Sequence, residues 1–217
     1  MKALALLAAL PLSGCAVMHM EFQDAVKGNG DRKAESRPVT SFDRVVASVA
    51  ADYEVVCGKA PSLHIEADSN LLKEIETKVQ GNTLRIGSKS NLRSEKGIKV
   101  VITTTSLNGF DISGAGAVKI AGARGKSLDI SVSGAADVTA TGQVDKASMT
   151  ISGAGSANLS GLQAKVATVE VSGAGDIQVW ATEDLKAEVS GAGSVKYKGN
   201  PKVDWKKNGA GSIEKMD

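Results

Sequence analysis

The sequence predicts an all-β fold, a parallel β-helix or solenoid with coils of about 18 to 20 residues, and three observations lead to it. One tetrapeptide recurs six times, as Ser113-Gly-Ala-Gly116, Ser133-Gly-Ala-Ala136, Ser152-Gly-Ala-Gly155, Ser172-Gly-Ala-Gly175, Ser190-Gly-Ala-Gly193 and Asn208-Gly-Ala-Gly211, at spacings of 20, 19, 20, 18 and 18 residues. Apolar and polar residues alternate on both sides of each copy. Twenty-four glycines stand against three Phe, two Tyr and two Trp, a composition suited to many tight turns with small aliphatic side chains between them. Self-similarity at so short a period marks a solenoid, in which each repeat buries its apolar edge only by stacking on the next.

The flanks of the tetrapeptide define one rung. Immediately before it stand Ile112, Val132, Ile151, Val171 and Val189, and two residues earlier Phe110, Ile130, Met149, Val169, Ala187 and Trp205. Between these columns lie Asp111, Ser131, Thr150, Glu170, Glu188 and Lys206, so the segment reads as a strand with one face inward and one in solvent. After the turn, Val118, Val138, Ala157, Ile177, Val195 and Ile213 are followed two residues later by Ile120, Ala140, Leu159, Val179 and Tyr197, which predicts a second inward-facing strand. Gly122, Gly142, Gly161 and Gly199 then form a second glycine column, with Ala181 the exception, and the differences in coil length are expected between that column and the next first strand. Two short strands and two turns per coil pair each strand in parallel with its copy about 4.8 Å away.

The sixth copy departs from the rest. Lys207 replaces the Ile or Val before the motif and Lys215 the second inward residue after it, while Trp205 keeps the inner position as a lid. An open strand end recruits other chains, so the rung reads as a charged stop.

Ahead of the repeats, strand-like runs occupy Arg44 to Ala50, Tyr53 to Val56, Ser62 to Ala67, Ile75 to Val79, Thr83 to Ile86 and Ile98 to Thr103, broken at Gly58, Gly81-Asn82 and Gly97. Asn70 to Glu76 is the one stretch that reads as a helical turn. The head domain is taken as residues 38–217, with this β-rich part continuous with the stack.

Residues 1–14 read as a signal peptide: Met1 and Lys2 supply positive charge and Ala3 to Leu12 a short apolar run, too short to span a bilayer. The run ends in Leu12-Ser13-Gly14-Cys15, which resembles a bacterial lipobox. Cys15 is therefore the expected lipidation site, and its acyl chains, at about 0.8 kcal/mol per buried methylene, would hold the protein to a membrane without a transmembrane helix. Residues 15–37, rich in Gln23, Asp24, Lys27, Gly28, Asn29, Gly30, Asp31, Arg32, Lys33 and Glu35, read as the lipidated cysteine and a flexible tether.

The formal net charge is only +2, from 26 basic and 24 acidic side chains without a long basic run, so nucleic acid is not an expected partner. With Cys15 lipidated, Cys57 is left without a disulfide partner and reads as a small core residue. His19 falls in the tether and His64 on a solvent face, so neither supplies a base or a metal site. Only Asp137 and Asp176 hold the acidic position that would resemble a calcium-binding β-roll, too few hard oxygen ligands for one. The glycine turns join strand to strand, which rules against a phosphate loop.

Serial Ser-Gly-Ala-Gly turns at this spacing, preceded by Asn70-Leu71-Leu72 and Leu84-Arg85-Ile86 and closed by Gly-Ala-Gly-Ser-Ile at Gly209 to Ile213, resemble the bacterial head GIN-domain family, an adhesin-head family by description. The resemblance covers roughly Pro38 to Met216. It implies a β-helical envelope protein, often a lipoprotein, and supplies no catalytic residues.

The expected function is a non-enzymatic envelope lipoprotein at the outer membrane, with no cofactor and no metal, presenting a rigid solenoid to an envelope protein or a glycan for adhesion or assembly. The alternative is a polysaccharide-acting β-helix enzyme, for which Glu170 and Glu188 on adjacent rungs are the only acidic pair and Trp180 the only exposed aromatic, beside inward-facing Tyr197.

Overall fold

A computed structural model describes residues 25–216, and every regular element among them is a strand. The strands build two hydrogen-bonded ladders that run side by side along one axis. The first ladder stacks Ile75–Gln80, Thr83–Ser88, Arg44–Ala47 and Gly109–Ile112, then the C-terminal parts of the long strands Ala115–Val132, Ala135–Ile151, Ser156–Val171 and Asp176–Val189, and ends on Lys202–Lys207. The second stacks Arg32–Arg37, Ser62–Asp68, Lys99–Thr104 and Asp52–Cys57, then the N-terminal parts of the same long strands, and ends on Ser194–Lys198 and Ser212–Lys215. Pairing is parallel throughout except at the N-terminal end, where Ile75–Gln80, Ser62–Asp68 and Arg32–Arg37 join antiparallel. The expected β-helix is present, with the N-terminal part continuous with the stack.

The inward columns are the predicted ones. Leu84, Val45, Phe110, Ile130, Met149, Val169 and Ala187 follow one another across successive strands, as do Ile86, Ala47, Ile112, Val132, Ile151, Val171 and Val189, and all are buried. Facing them are Ile65, Val100, Tyr53, Val118, Val138, Ala157, Ile177 and Val195. Burying each of the larger aliphatics is worth about 1.5–3 kcal/mol, so stability is spread along the whole axis. At the N-terminal end the core is bulkier: Tyr53 meets Phe110 edge to face with centroids 5.7 Å apart, and its hydroxyl donates to the Val49 carbonyl at 2.8 Å. Burial pushes the Tyr53 hydroxyl well above the ordinary tyrosine range.

At the repeated corner, backbone stacks directly on backbone. The Ser133, Ser152, Ser172, Ser190 and Asn208 amides donate to the carbonyl of the preceding rung's last inward residue at 2.8–3.0 Å, and the Ala135, Ala154, Ala174, Ala192 and Ala210 amides donate to the preceding rung's first glycine at 3.1–3.3 Å. A Cβ on Gly134, Gly153, Gly173, Gly191 or Gly209 would run into that same carbonyl oxygen.

Four expectations are corrected. Each coil has a third, short leg, in which Gly125, Val144, Ala164 and Ala181 are stacked and the last three buried; its two or three residues are too few to show an alternation. Consequently the second glycines do not form a stacked column: Gly142 lies beside Ala123 and Leu162, not Gly122 and Gly161. The differences in coil length begin at the corner into this leg, where the register shifts at Ile120/Ala123, Thr139/Thr141 and Leu159/Gln163, with a further shift at Ala164/Val166. A corner can bulge, whereas the paired first leg has no slack.

The flexible tether expected over residues 15–37 is corrected from Val26 onward. Val26–Lys27 pairs with Leu92–Arg93, and Arg32–Arg37 pairs antiparallel with Leu63–Asp68. Arg37 holds this edge, donating from its guanidinium to the Ile75 and Leu72 carbonyls at 2.6 Å each. An edge strand secured by backbone bonds and arginine needs no apolar alternation, which is why the composition reads as linker. Residues 1–24, including the expected signal peptide, Cys15 and His19, lie outside the described residues.

Smaller differences follow from the same corners. The strand expected from Arg44 to Ala50 stops at Ala47 because the next four residues turn the first corner. Asn70 to Glu76 makes hydrogen-bonded turns, with Leu72 N donating to Asp68 O and Ile75 N to Leu71 O, and then enters a strand without forming a helix. On the terminal rung, Lys207 stands over Val189 and Lys215 over Tyr197, the inward register positions. Trp205 occupies the inner position over Ala187 but is 54% exposed, because no rung stacks on it, so it is not a closed lid.

Val171→Asp buries an unpaired carboxylate on a fully enclosed column and should cost several kcal/mol, enough to abolish cooperative melting, while Glu170→Lys on the neighbouring outward position should shift Tm by no more than a degree or two. Circular-dichroism melts of the two variants check the phase of the strand; equal shifts would contradict it. Replacing Lys207 and Lys215 together by valine should convert the terminal rung into a sticky edge, seen by light scattering as mass that grows with concentration, and a variant that stays at the parent's mass from micromolar to millimolar would exclude a guarding role.

Candidate functional site

The outward side chains form columns about 4.8 Å apart along the axis. On the first leg the column reads Asp111, Ser131, Thr150, Glu170, Glu188, Lys206, in register. Glu170 and Glu188 are therefore true neighbours on adjacent rungs, flanked by Thr150 and Lys206 and not by a third carboxylate. Among the described residues no group of three or more His, Cys, Asp or Glu side chains is placed to hold a metal ion.

Trp180 and Tyr197 do not come together as a platform. Trp180 is half-buried on the third leg, with Lys198 Nζ 4.3 Å from its ring centroid, and Tyr197 is half-buried in the second-leg inner column. The lysine lies over the indole face that a sugar ring would need, a cation–π contact worth about 0.5–1 kcal/mol at an exposed site.

Asp137 and Asp176 have a structural task. They begin the second leg, where the Asp137 carboxylate accepts from the Ser156 amide at 3.2 Å and hydroxyl at 2.7 Å, and Asp176 accepts from the Ser194 amide at 2.9 Å and hydroxyl at 2.6 Å. Asp52 does the same two rungs before Asp137, accepting from the Ala117 amide at 3.0 Å. Each aspartate thus ties its corner to the next coil. The two bonds from Ser194 hold the Asp176 carboxyl below the usual aspartate range.

Cys57 is half-buried against the core, and burial pushes its thiol up, away from the reactive thiolate. His64 is exposed, as expected, with Nδ1 2.8 Å from Ser36 Oγ on the edge strand.

Two features escape sequence reading. Arg44 reaches along the axis, with one guanidinium nitrogen 3.0 Å from Asp111 and the other 3.7 Å from Asp129 two rungs on, and lies flat over Gly109, where a Cβ would strike it. The glycine is the only sequence signal. Asp68 is buried under Gly28, accepting from Ser94 Oγ at 2.9 Å through one oxygen, with the other unpaired in the protein.

Residues 41–201 match the family described as "Putative auto-transporter adhesin, head GIN domain". The chain belongs to this family. Among solved structures, a "putative adhesin" from Bacteroides fragilis is 26% identical, with a TM-score of 0.73 over 88% of this chain and 100% of that one. A "putative adhesin" from Parabacteroides merdae is 23% identical, with a TM-score of 0.60 over 89% and 100%. A "Putative lipid binding protein" from Parabacteroides distasonis is 24% identical, with a TM-score of 0.54 over the same shares. The last two likenesses show the fold alone. No curated protein matches the chain. GIN-domain membership agrees with columns that are cross-linked for rigidity and not gathered around a reactive centre.

Because the folded-state pKa of Asp176 is depressed, the stability it contributes is present above the ordinary aspartate value, about 3.9, and is lost as pH falls through the lower folded-state value. Asp176→Ala should therefore lower Tm at neutral pH by a few degrees and match the parent once both are melted in strong acid. A gap between the two curves that does not narrow on acidification would show that the Ser194 bonds do not carry the effect.

Proposed function

We propose that this GIN-domain chain is a non-catalytic lipoprotein of the bacterial envelope, held to the outer membrane through Cys15, whose solenoid is a rigid head for adhesion to an envelope protein or a glycan. The observation that carries the reading is the position of the first bonded residue. Val26, paired to Leu92, follows Cys15 by eleven residues, and eleven residues extend at most about 40 Å. A lipid on Cys15 would thus hold the antiparallel end of the stack near the bilayer and point the repeats away from it.

Membership in a family described as adhesin heads supports the surface role. The covered Trp180, with Lys198 over the indole face that a sugar ring would stack on, favours presentation over glycan cleavage.

Cys15→Ala should move the protein from the detergent phase to the aqueous phase in Triton X-114 partitioning and from the membrane pellet to the soluble fraction, with the melting temperature of the head unchanged. A variant that still partitions with detergent would overturn the lipid anchor.

A further inference from the structure

The C-terminal rung combines an open edge, an excess of lysine over its own carboxylates, with Lys202 and Lys206 in register over Asp184 and Glu188 of the strand before, and an exposed aromatic. Among the described residues Lys202–Lys207 pairs only with Asp176–Val189, and Ser212–Lys215 only with Ser194–Lys198, so each leaves one row of backbone N–H and C=O groups facing outward. Over residues 194–216 there are six lysines, Lys196, Lys198, Lys202, Lys206, Lys207 and Lys215, against two carboxylates, Asp204 and Glu214. Among the described residues none of these lysines is in an ion pair: Lys198 covers Trp180 and Lys215 bonds the Asn200 amide oxygen at 2.6 Å. Trp205 projects at the inner position of this edge, 54% exposed, and a groove of about 440 Å³ opens beside the same strand, lined by Val166, Leu185 and Val203 together with Asp184, Lys186, Lys202 and Asp204.

We propose that this rung is a docking edge for an extended, acidic segment of a partner protein, which adds as a further strand over Lys202–Lys207. An incoming strand would take up the free backbone groups, lay alternate side chains on Val203 and Trp205, and set its carboxylates against Lys202 and Lys206. An exposed tryptophan is a group that concentrates binding energy at interfaces, and the lysines around it select the sign of the partner. The same charge rejects this chain as its own partner. At the opposite end of the stack Arg32, Lys33 and Arg37 are paired with Glu66, Asp31 and Glu35, so the rejection rests on contact between two C-terminal rungs, which sets lysine on lysine. A guard against self and a selector for acidic strands are one device.

The proposal concerns the end of the solenoid and stands independently of the lipid anchor. Its test uses the purified full-length chain with two synthetic octapeptides, one alternating valine with glutamate and one alternating valine with lysine, and separately with vesicles of phosphatidylglycerol. Binding is read by amide hydrogen exchange over residues 202–207 and 212–215 and by tryptophan emission. The acidic peptide should slow exchange of the 202–207 amides at least tenfold and shift the emission to the blue; the basic peptide should do neither. Trp205→Ala should weaken the acidic peptide fivefold or more, and Lys202→Gln with Lys206→Gln, both on exposed positions, should abolish the preference for the acidic peptide over the lysine peptide. Equal protection by both peptides, protection by neither, or protection of these amides by the vesicles alone would each overturn the proposal, the last in favour of a lipid surface.

Discussion

Backbone stacked on backbone at one corner of each coil is the constraint on which the rest of this protein depends. In a parallel solenoid the rise from rung to rung is the interstrand distance, about 4.8 Å. Over most of the coil that spacing leaves room for side chains to point in or out, but where the chain turns sharply the peptide planes lie one above another and the Cβ direction points into the coil below. The amides of Ala154, Ala174, Ala192 and Ala210 reach the carbonyls of Gly134, Gly153, Gly173 and Gly191 there, and no side chain fits between them. Once that corner is fixed, strand phase is fixed as well, since a one-residue slip would turn Val171 outward and Glu170 inward.

The first coil shows what happens where nothing stacks below. Gly114 and Gly116 lie over the carbonyls of Val49 and Ala51, so residues 48–51 form the same corner with ordinary side chains. Beneath them is a small hollow of about 180 Å³ bordered by Ser88, Asn91 and Leu92 instead of another layer of backbone. Glycine is required by the neighbour underneath and not by the turn itself.

This asymmetry decides how much of the molecule is legible in its sequence. From Ile112 onward the inward columns can be read residue by residue, because six copies reinforce one another. The third leg is not legible, because Val144, Ala164 and Ala181 are too few to make a pattern, and neither is the edge strand Arg32–Arg37, whose stability rests on ladder bonds and the Arg37 guanidinium instead of apolar residues. The roles of Asp137 and Asp176 show the limit for sites: the sequence shows that they are too few to hold calcium, but that their carboxylates accept from Ser156 and Ser194 needs the register, which only the stacked coils supply. Arg44 over Gly109 is a contact between residues 65 positions apart, and periodicity is blind to it.

The edge strand also determines how the molecule would respond to load. Hydrogen bonds between rungs run along the solenoid axis, so a pull from one end to the other is resisted layer by layer, with the buried columns sharing the strain. A force applied at Val26 meets something different. It first reaches the two-residue pairing of Val26–Lys27 with Leu92–Arg93, and then Arg32–Arg37, which is bonded along one side only. Peeling that strand exposes no column of the repeated coils and leaves every Ser-Gly-Ala-Gly corner stacked, while it releases the chain from Val26 to Arg37 as added length. Such a pull would therefore yield first at this edge strand, lengthening the chain without disturbing the repeated corners.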